Sequence, residues 1–254
     1  MPELLITAPR VVPGTGRPAL CEPGYVLVTG GVVAEAGGGP PPREPDLALG
    51  SGYLVPGLVD LQVNGGFGVD LAGLDPAGWA RLVRRLPETG TTAFLPTFVT
   101  APVAELGRAL RFASAFVADA PAGARVLGVH QEGPFLSPMR AGAHRRDLMV
   151  PPSPAAVAGL LAAGAGVLRV VTLAPEVEGG LAAVQALVSA GVVVSVGHSD
   201  ATAAPSGPGG APRPAWATGT GPPGARRARA PRPADPPRRQ MQNAVRRPAR
   251  PRAR

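Results

Sequence analysis

Residues 125–144 read RVLGVHQEGPFLSPMRAGAH, a short apolar run followed by an irregular loop. The run, residues 125–129, is rich in Val and Leu, which is typical of a strand buried on both faces. Glu132 comes just past its end, and Gly133 and Pro134 then turn the backbone away. A single glutamate in such a place is usually an ordinary exposed loop residue. The stretch therefore predicts a buried strand, and the role of Glu132 depends on the rest of the chain.

Strand and helix patterns alternate on both sides of this stretch, which is the signature of a parallel sheet or barrel. Asp75 and Pro76 are typical of the cap and first turn of a helix, and Gly90 ends that segment. The predicted strands are residues 53–63, 92–99, 125–129, 167–173 and 192–196, and the predicted helices are residues 75–89, 103–118, 154–163 and 180–190.

The chain divides into three segments by composition. Residues 1–52 hold two alternating or β-branched segments, residues 4–12 and 25–36, which predict part of a small sheet. Residues 53–203 hold the five strands in strand–helix alternation. Residues 204–254 hold 12 Pro and 12 Arg without Leu, Ile or Phe, so they cannot bury enough apolar surface to offset the entropy of ordering. We predict that this tail is disordered.

The positive charge of the chain belongs to the tail alone. The formal net charge is +8, but residues 204–254 carry +11 and residues 1–203 carry −3. Twelve arginines could bind nucleic acid or another polyanion in a salt-sensitive way, which is one alternative function. Against it, the tail sequence offers only Trp216 for base stacking, and charge runs are usually just solvated. Nucleic acid is therefore not the favoured partner.

Cysteine content and hydropathy indicate a soluble, cytoplasmic protein. Cys21 is the only cysteine in the sequence, so no intramolecular disulfide can form and a reducing compartment is the simpler assumption. Residues 1–10 lack a basic segment followed by an apolar one, so a secretory signal is not expected. The longest apolar run, residues 154–168, is short for a membrane span and is interrupted by glycines.

Polar side chains stand at the ends of three predicted strands: Gln62 and Asn64 at the first, Glu132 at the third and His198 at the fifth. In a (β/α) barrel the carboxyl ends of all strands open onto one face, where loops build the active site. A carboxylate and a neutral imidazole suit a divalent ion such as zinc, so Glu132 and His198 could share one. Two ligands are fewer than a zinc enzyme usually has, and a histidine bonded to backbone is the alternative for His198.

Five segments carry a family resemblance. In chain order they read PGLVDLQVNGGFGVD, GTTAFLPTFVT, GVHQEGPFLSPMRAGAH, TLAPE and VSVGHSDAT. Together they resemble N-acetylglucosamine-6-phosphate deacetylase, of the amidohydrolase superfamily, over about residues 1–202. The resemblance implies a metal-dependent (β/α)8 barrel with a small β-sandwich built from both chain ends. We therefore expect an α/β fold with about five of eight units of the barrel, preceded by part of the sandwich and followed by the disordered tail.

The resemblance also implies a reaction and its partners. The reaction is hydrolysis of the N-acetyl group of N-acetylglucosamine-6-phosphate to glucosamine-6-phosphate and acetate, in amino-sugar catabolism. It implies one divalent metal ion, expected to be zinc, an amino-sugar phosphate as the small-molecule partner, and a homodimer. A metal ion of this kind lowers the pKa of its bound water and polarises the amide carbonyl, while a carboxylate moves the proton.

By position in the motifs, Glu132 matches the metal-binding glutamate of the family and His198 matches its first metal-binding histidine. Ala143 matches a backbone position that contacts substrate, and His144 lies where a histidine lines the sugar pocket. His130 matches no ligand role, and we expect it to be a histidine packed inward on its strand.

Gln62 and Asn64 stand where many amidohydrolases carry a His-x-His pair for a second metal. Neutral amides are poor zinc ligands, so these second-metal positions are vacant and the chain resembles the single-metal branch. The same two residues disfavour another amidohydrolase, such as a dihydroorotase-like enzyme, which is the third alternative.

The sequence departs from the family after residue 203. The resemblance implies a second metal-binding histidine, a catalytic aspartate, a phosphate-binding arginine and histidine, and returning sandwich strands, none of which follows. No histidine comes after His198, and Asp235 is the only acid in the tail, so no residue is assigned as catalytic. We hypothesise a frameshift or truncation that leaves the chain inactive. Translating the other two frames should reveal a His-Leu-Phe-Asn-like segment and a later aspartate if this is right.

Overall fold

The computed structural model describes residues 3–14 and 18–201, together with the backbone of residues 216–217. Its N-terminal sheet contains β1 (Leu4–Ala8), β2 (Gly24–Thr29), β3 (Val32–Gly38) and β4 (Leu47–Ala48). The spatial order is β3-β2-β1-β4, with β4 parallel to β1 and the other pairs antiparallel. The segment over residues 25–36, predicted as part of a small sheet, forms the hairpin of β2 and β3, because Gly30 and Gly31 take positive φ angles of 61° and 83° and turn the chain.

The second part of the chain alternates strands with helices. Its strands are β5 (Leu58–Val63), β6 (Gly65–Gly66), β7 (Val69–Asp70), β8 (Thr91–Phe98), β9 (Arg125–Val126), β10 (Val129–Glu132), β11 (Leu168–Leu173), β12 (Val193–Val196) and β13 (Trp216–Ala217). Its helices are α1 (Pro76–Arg85), α2 (Val103–Ala118), α3 (Pro154–Ala163) and α4 (Gly180–Ser189). Short 3-10 helices span Leu71–Gly73, Leu86–Thr89, Pro138–Arg140 and Arg146–Leu148.

The main strands form one parallel sheet in the order β12-β11-β10-β8-β5. Each strand is joined to the next along the chain by one of the four helices. Strand β9 pairs with β8, β13 pairs with β12, and β6 and β7 pair with each other. The sheet curls as part of a barrel, which confirms the predicted α/β fold with five strands in strand–helix alternation.

Local sequence signals account for the starts of helices α1 and α3. Asp75 caps α1, since its carboxylate accepts hydrogen bonds from the backbone N–H groups of Ala77 and Gly78, and Pro76 occupies the first turn. Ser153 caps α3 in the same way through the N–H of Ala156.

Two predicted strands needed correction. The run over residues 125–129 is interrupted at Gly128, whose φ of 137° is a backbone conformation that residues with a side chain rarely adopt. Strand β10 therefore begins at Val129 and includes Glu132. Glu132 is therefore the last residue of a strand and not the first residue of a loop. The predicted strand over residues 53–63 begins only at Leu58, because Pro56 and Gly57 precede it, and Gln62 lies within it.

Aromatic packing fills the space between α1, α2 and β8. Trp79 is almost fully buried, and its ring contacts those of Phe98, Phe112 and Phe116 with centroid separations of 6.0, 5.1 and 5.2 Å. Its indole N–H donates to the carbonyl of Leu71 at 3.2 Å, so its one polar group is satisfied. This cluster fixes two helices against the sheet that carries the candidate site.

The predicted segment boundaries at residues 52/53 and 203/204 stay predictions. The tail predicted over residues 204–254 lies outside the described residues, apart from the backbone of 216–217. Among the described helices, none combines the length and the apolar character that crossing a bilayer requires.

Strand β5 ends the parallel sheet and exposes apolar side chains. Within the described residues its strand neighbour is β8 alone. Leu58, Val59 and Leu61 are 57%, 56% and 40% exposed. An apolar edge with free backbone groups is a template for pairing with another chain. We therefore expect self-association through this edge.

Replacing Val59 by Lys should reduce self-association, because a charge on an edge strand opposes edge-to-edge pairing. The side chain is already exposed, so the free energy of unfolding should change by less than about 0.5 kcal/mol. Light scattering over a concentration series measures the effect. Leu181→Lys is the matched control, since Leu181 is 68% exposed on helix α4. An equal reduction by both variants would contradict a role for the β5 edge.

Candidate metal centre

Three side chains from separate parts of the chain meet at the carboxyl end of the sheet. Glu132 ends β10, His144 lies in the loop after it, and His198 follows β12. One donor atom from each lies within 4.8 Å of the others, and this is the group of metal-ligating type found among the described residues. A carboxylate with two imidazoles is a donor set that suits a divalent ion. The structure thus brings together the two residues predicted as ligands and places the imidazole of His144 beside them.

Glu132 is the buried charge of the group, with 8% of its surface exposed. Burial raises the pKa of its carboxyl, but the neighbouring imidazoles of His144 and His198 lower it more, so the net pKa lies below its usual range. The amide of Gln62 donates from Nε2 to Glu132 Oε2 at 2.9 Å. The carboxylate is therefore held ionised and oriented, and Gln62 serves as its hydrogen-bond donor.

His198 presents a lone pair to Glu132. Its Nδ1 lies 2.9 Å from the carbonyl oxygen of Arg140, and a carbonyl can only accept, so Nδ1 carries the proton of the neutral ring. Its Nε2 lies 3.2 Å from Glu132 Oε1. Two acceptors at this distance need a positive centre, either a second proton on the ring or a metal ion. The ring is thus arranged as metal-binding histidines usually are, with the other nitrogen bonded to protein.

His144 is arranged in the opposite way. Its Nδ1 lies 2.8 Å from Thr100 Oγ1 and accepts a hydrogen bond of 3.4 Å from the backbone N–H of Thr100. An accepting Nδ1 leaves the proton of the neutral ring on Nε2, which lies 3.7 Å from Glu132 Oε2. The two imidazole rings meet edge to face at 4.5 Å. His144 therefore offers an N–H donor to the site, whereas His198 offers a lone pair.

The remaining predicted residues surround this group. Ala143 is exposed in the loop next to His144, and Asn64 donates from its amide to the carbonyl of Thr97 at 3.2 Å. His130 is buried, with Nδ1 3.0 Å from the Leu61 carbonyl and Nε2 2.7 Å from Thr172 Oγ1. Both ring nitrogens of His130 are used in the interior, and burial lowers its pKa. His130 therefore joins strands and lies outside the group of three donors.

Sequence reasoning missed Thr100 and Arg140, which set the tautomers of the two histidines. Both residues lie inside segments that carry the family resemblance, so a signal was present. Their partners are 44 and 58 residues away, however, and no local pattern reveals such pairs.

Gly133 is required where the backbone turns after β10. Its φ is 83°, and a Cβ atom there would lie 2.2 Å from Thr100 Oγ1, the atom that contacts His144. Side chains on Gly133 would therefore displace the hydroxyl that holds His144.

A left-handed backbone costs an L-residue about 1–2 kcal/mol. Gly133→Ala should lower the free energy of unfolding by more than this amount. The excess comes from the overlap with Thr100, and His144 should lose its fixed orientation. Gly166→Ala is the matched control, since Gly166 has a φ of 80° with no atom within 4 Å of the added Cβ. Urea denaturation gives the difference between the variants. Equal losses of unfolding free energy in the two variants would contradict this expectation, because they would show that Thr100 moves aside without cost.

Comparison with known proteins points in one direction. No family model matches the sequence. The N-acetylglucosamine-6-phosphate deacetylase of Bos taurus is 40% identical over 155 residues, 59% of this chain and 38% of that protein. The enzyme of that name from Bacillus subtilis is 34% identical over 154 residues, 59% of this chain and 39% of that protein.

Solved structures agree with this. The crystal structure of N-acetyl-D-glucosamine-6-phosphate deacetylase from Mycobacterium smegmatis matches with a TM-score of 0.71 and 38% identity, covering 78% of this chain and 51% of that chain. The resemblance predicted from the motifs is thereby confirmed. The chain spans about two fifths of the length of the curated relatives that it matches.

Proposed function

We propose that the described part of the chain holds the metal-binding portion of an N-acetylglucosamine-6-phosphate deacetylase site. The reaction of such a site is hydrolysis of the N-acetyl group to give glucosamine-6-phosphate and acetate. The observation that carries the proposal is the approach of His198 Nε2 to Glu132 Oε1 at 3.2 Å, in two segments that resemble this family. The small-molecule partner is accordingly an amino-sugar phosphate.

Glu132 and His198 would hold a divalent ion, for which zinc is our proposal. The fit rests on two acceptors that face each other and on a carboxylate whose pKa is depressed. Each atom is a common zinc ligand, and open positions are what a catalytic ion needs. A bound ion supplies polarisation of the amide carbonyl and a lowered pKa of its water.

The other residues of the site bind and orient. Gln62 donates a hydrogen bond to the Glu132 carboxylate and holds it in place. The side chain at this second-metal position is thus used to orient a ligand of the first metal. The Nε2–H of His144 would donate to an oxygen of the substrate, next to the backbone of Ala143. Proton transfer is assigned to no described residue, because the resemblance places the catalytic aspartate after residue 203. We therefore propose that this chain binds metal and substrate without turnover.

Glu132→Gln and His198→Ala should each weaken zinc binding by more than about 100-fold, since each removes a ligand and altering only a neighbouring group already costs about 10- to 100-fold. Competition with a chromophoric chelator measures the dissociation constant. Asp119→Asn, an exposed acid at the end of helix α2, is the control and should bind as the parent chain does. A parent chain that binds no zinc, or variants that bind as well as it does, would refute the metal site.

His144→Ala separates a substrate donor from a metal ligand. Loss of one hydrogen bond should weaken N-acetylglucosamine-6-phosphate binding to the zinc-loaded chain by about 5- to 10-fold. Zinc binding itself should change far less than in His198→Ala. Calorimetric titration of the sugar phosphate and chelator competition for zinc give the two constants. A loss of zinc binding equal to that of His198→Ala would make His144 a ligand instead.

A further inference from the structure

His198 is held in an uncommon backbone conformation. Its φ is 50°, in the left-handed region that residues other than glycine seldom adopt and that costs an L-residue about 1–2 kcal/mol. This conformation turns the chain back after β12, and the backbone N–H of Ser137 donates to the carbonyl of His198 at 3.0 Å. Such a conformation persists only where the surroundings over-determine it. The contacts of the residues that follow His198 are therefore decisive.

Glu176 binds both of those residues. Its Oε1 accepts from the backbone N–H of Asp200 at 2.6 Å, and its Oε2 accepts from the hydroxyl of Ser199 at 2.7 Å. Glu176 follows β11, the strand next to β12 in the parallel sheet. Both oxygens of this one carboxylate thus accept hydrogen bonds from the two residues after His198. Hydrogen bonds to a charged acceptor are about twice as strong as neutral ones.

The opposite side of the segment is held from the loop after β10. The guanidinium of Arg140 contacts Asp200 Oδ1 through Nη2 at 2.6 Å and through Nε at 2.7 Å. The carbonyl of the same Arg140 accepts from His198 Nδ1. Residues 198–200 are therefore bound from both neighbouring loops, and Glu176 is the acidic side of this clamp.

We propose that Glu176 is a positioning residue for His198, one that keeps His198 Nε2 turned toward Glu132. Its expected consequence, tighter metal binding, rests on the proposed function. Glu176 itself touches neither of the two ligands. It acts through the backbone of Asp200 and the side chain of Ser199, which fix the turn on which the His198 ring is mounted.

The first test needs no metal. The chain has three histidines, so histidine-selective ¹⁵N labelling gives few signals, and buried His130 reports on the fold. In Glu176→Ala the His198 signals should move toward those of a ring with averaged tautomers, while the His130 signals stay. The amide of Asp200 should exchange with solvent about tenfold faster or more, as expected for loss of a bond to a charged acceptor.

Matched variants separate positioning from general damage. Glu178→Ala removes a carboxylate from the same loop, where Glu178 makes no hydrogen bond or ion pair with the described residues, and should leave His198 unchanged. Glu176→Gln keeps an acceptor for Asp200 and should give an intermediate effect. If Glu176→Ala does not fold, Glu176→Gln against Glu178→Gln decides by the same readouts. Unchanged His198 signals and Asp200 exchange in the folded Glu176 variants would overturn the proposal.

A zinc titration then distinguishes this inference from the proposed function. Glu176→Ala should loosen zinc binding by about 10- to 100-fold, the range for groups that orient a ligand, with Glu176→Gln between it and the parent. In a His198→Ala background the same change should have no effect on zinc affinity. A parent chain that binds no zinc refutes the proposed function, while the metal-free comparison still decides the role of Glu176. Equal zinc affinity of the parent and Glu176→Ala overturns the positioning role alone.

Discussion

The contact between the Glu132 carboxylate and the His198 imidazole is the constraint on which the site depends. Parallel register sets it up: Glu132 pairs with Thr172 on β11, and Thr172 pairs with Ser195 on β12. Glu132 is therefore level with a residue three positions before His198. The chain has to turn back for the imidazole to reach the carboxylate, and the left-handed backbone of His198 makes that turn. The strained backbone of His198 is thus what lets its imidazole meet the Glu132 carboxylate.

Polar bonds also tie the edge strand to this site. β5 is separated from β10 by β8 in the sheet, yet Gln62 and the Leu61 carbonyl of β5 bind Glu132 and His130 of β10. Such contacts between strands that are not neighbours require a strongly curled sheet. The curl of a barrel is therefore present in five strands. The apolar residues that a closed barrel would cover on β5 are exposed instead.

Local signals predicted much of this fold, and contacts between distant residues explain what they missed. Period and capping located helix α1 with its Asp75 cap, as well as the order of strands and helices, because both depend on residues a few positions apart. They did not predict the break at Gly128, where a side chain would overlap Arg169 of the next strand. They indicated Glu132 and His198 as candidates, but the carboxylate of Glu176 is 23 and 24 residues from its partners.

The two histidines near Glu132 show why residue type alone does not decide a role. Both side chains are imidazoles at similar distances from one carboxylate, and both lie in loops after the sheet. The carbonyl of Arg140 makes one a lone-pair donor, and the N–H of Thr100 makes the other an N–H donor. The group that fixes each tautomer belongs to the backbone, because the Thr100 hydroxyl holds the His144 ring but could either donate or accept. The path of the two loops therefore determines which imidazole presents a lone pair to the site and which presents an N–H group.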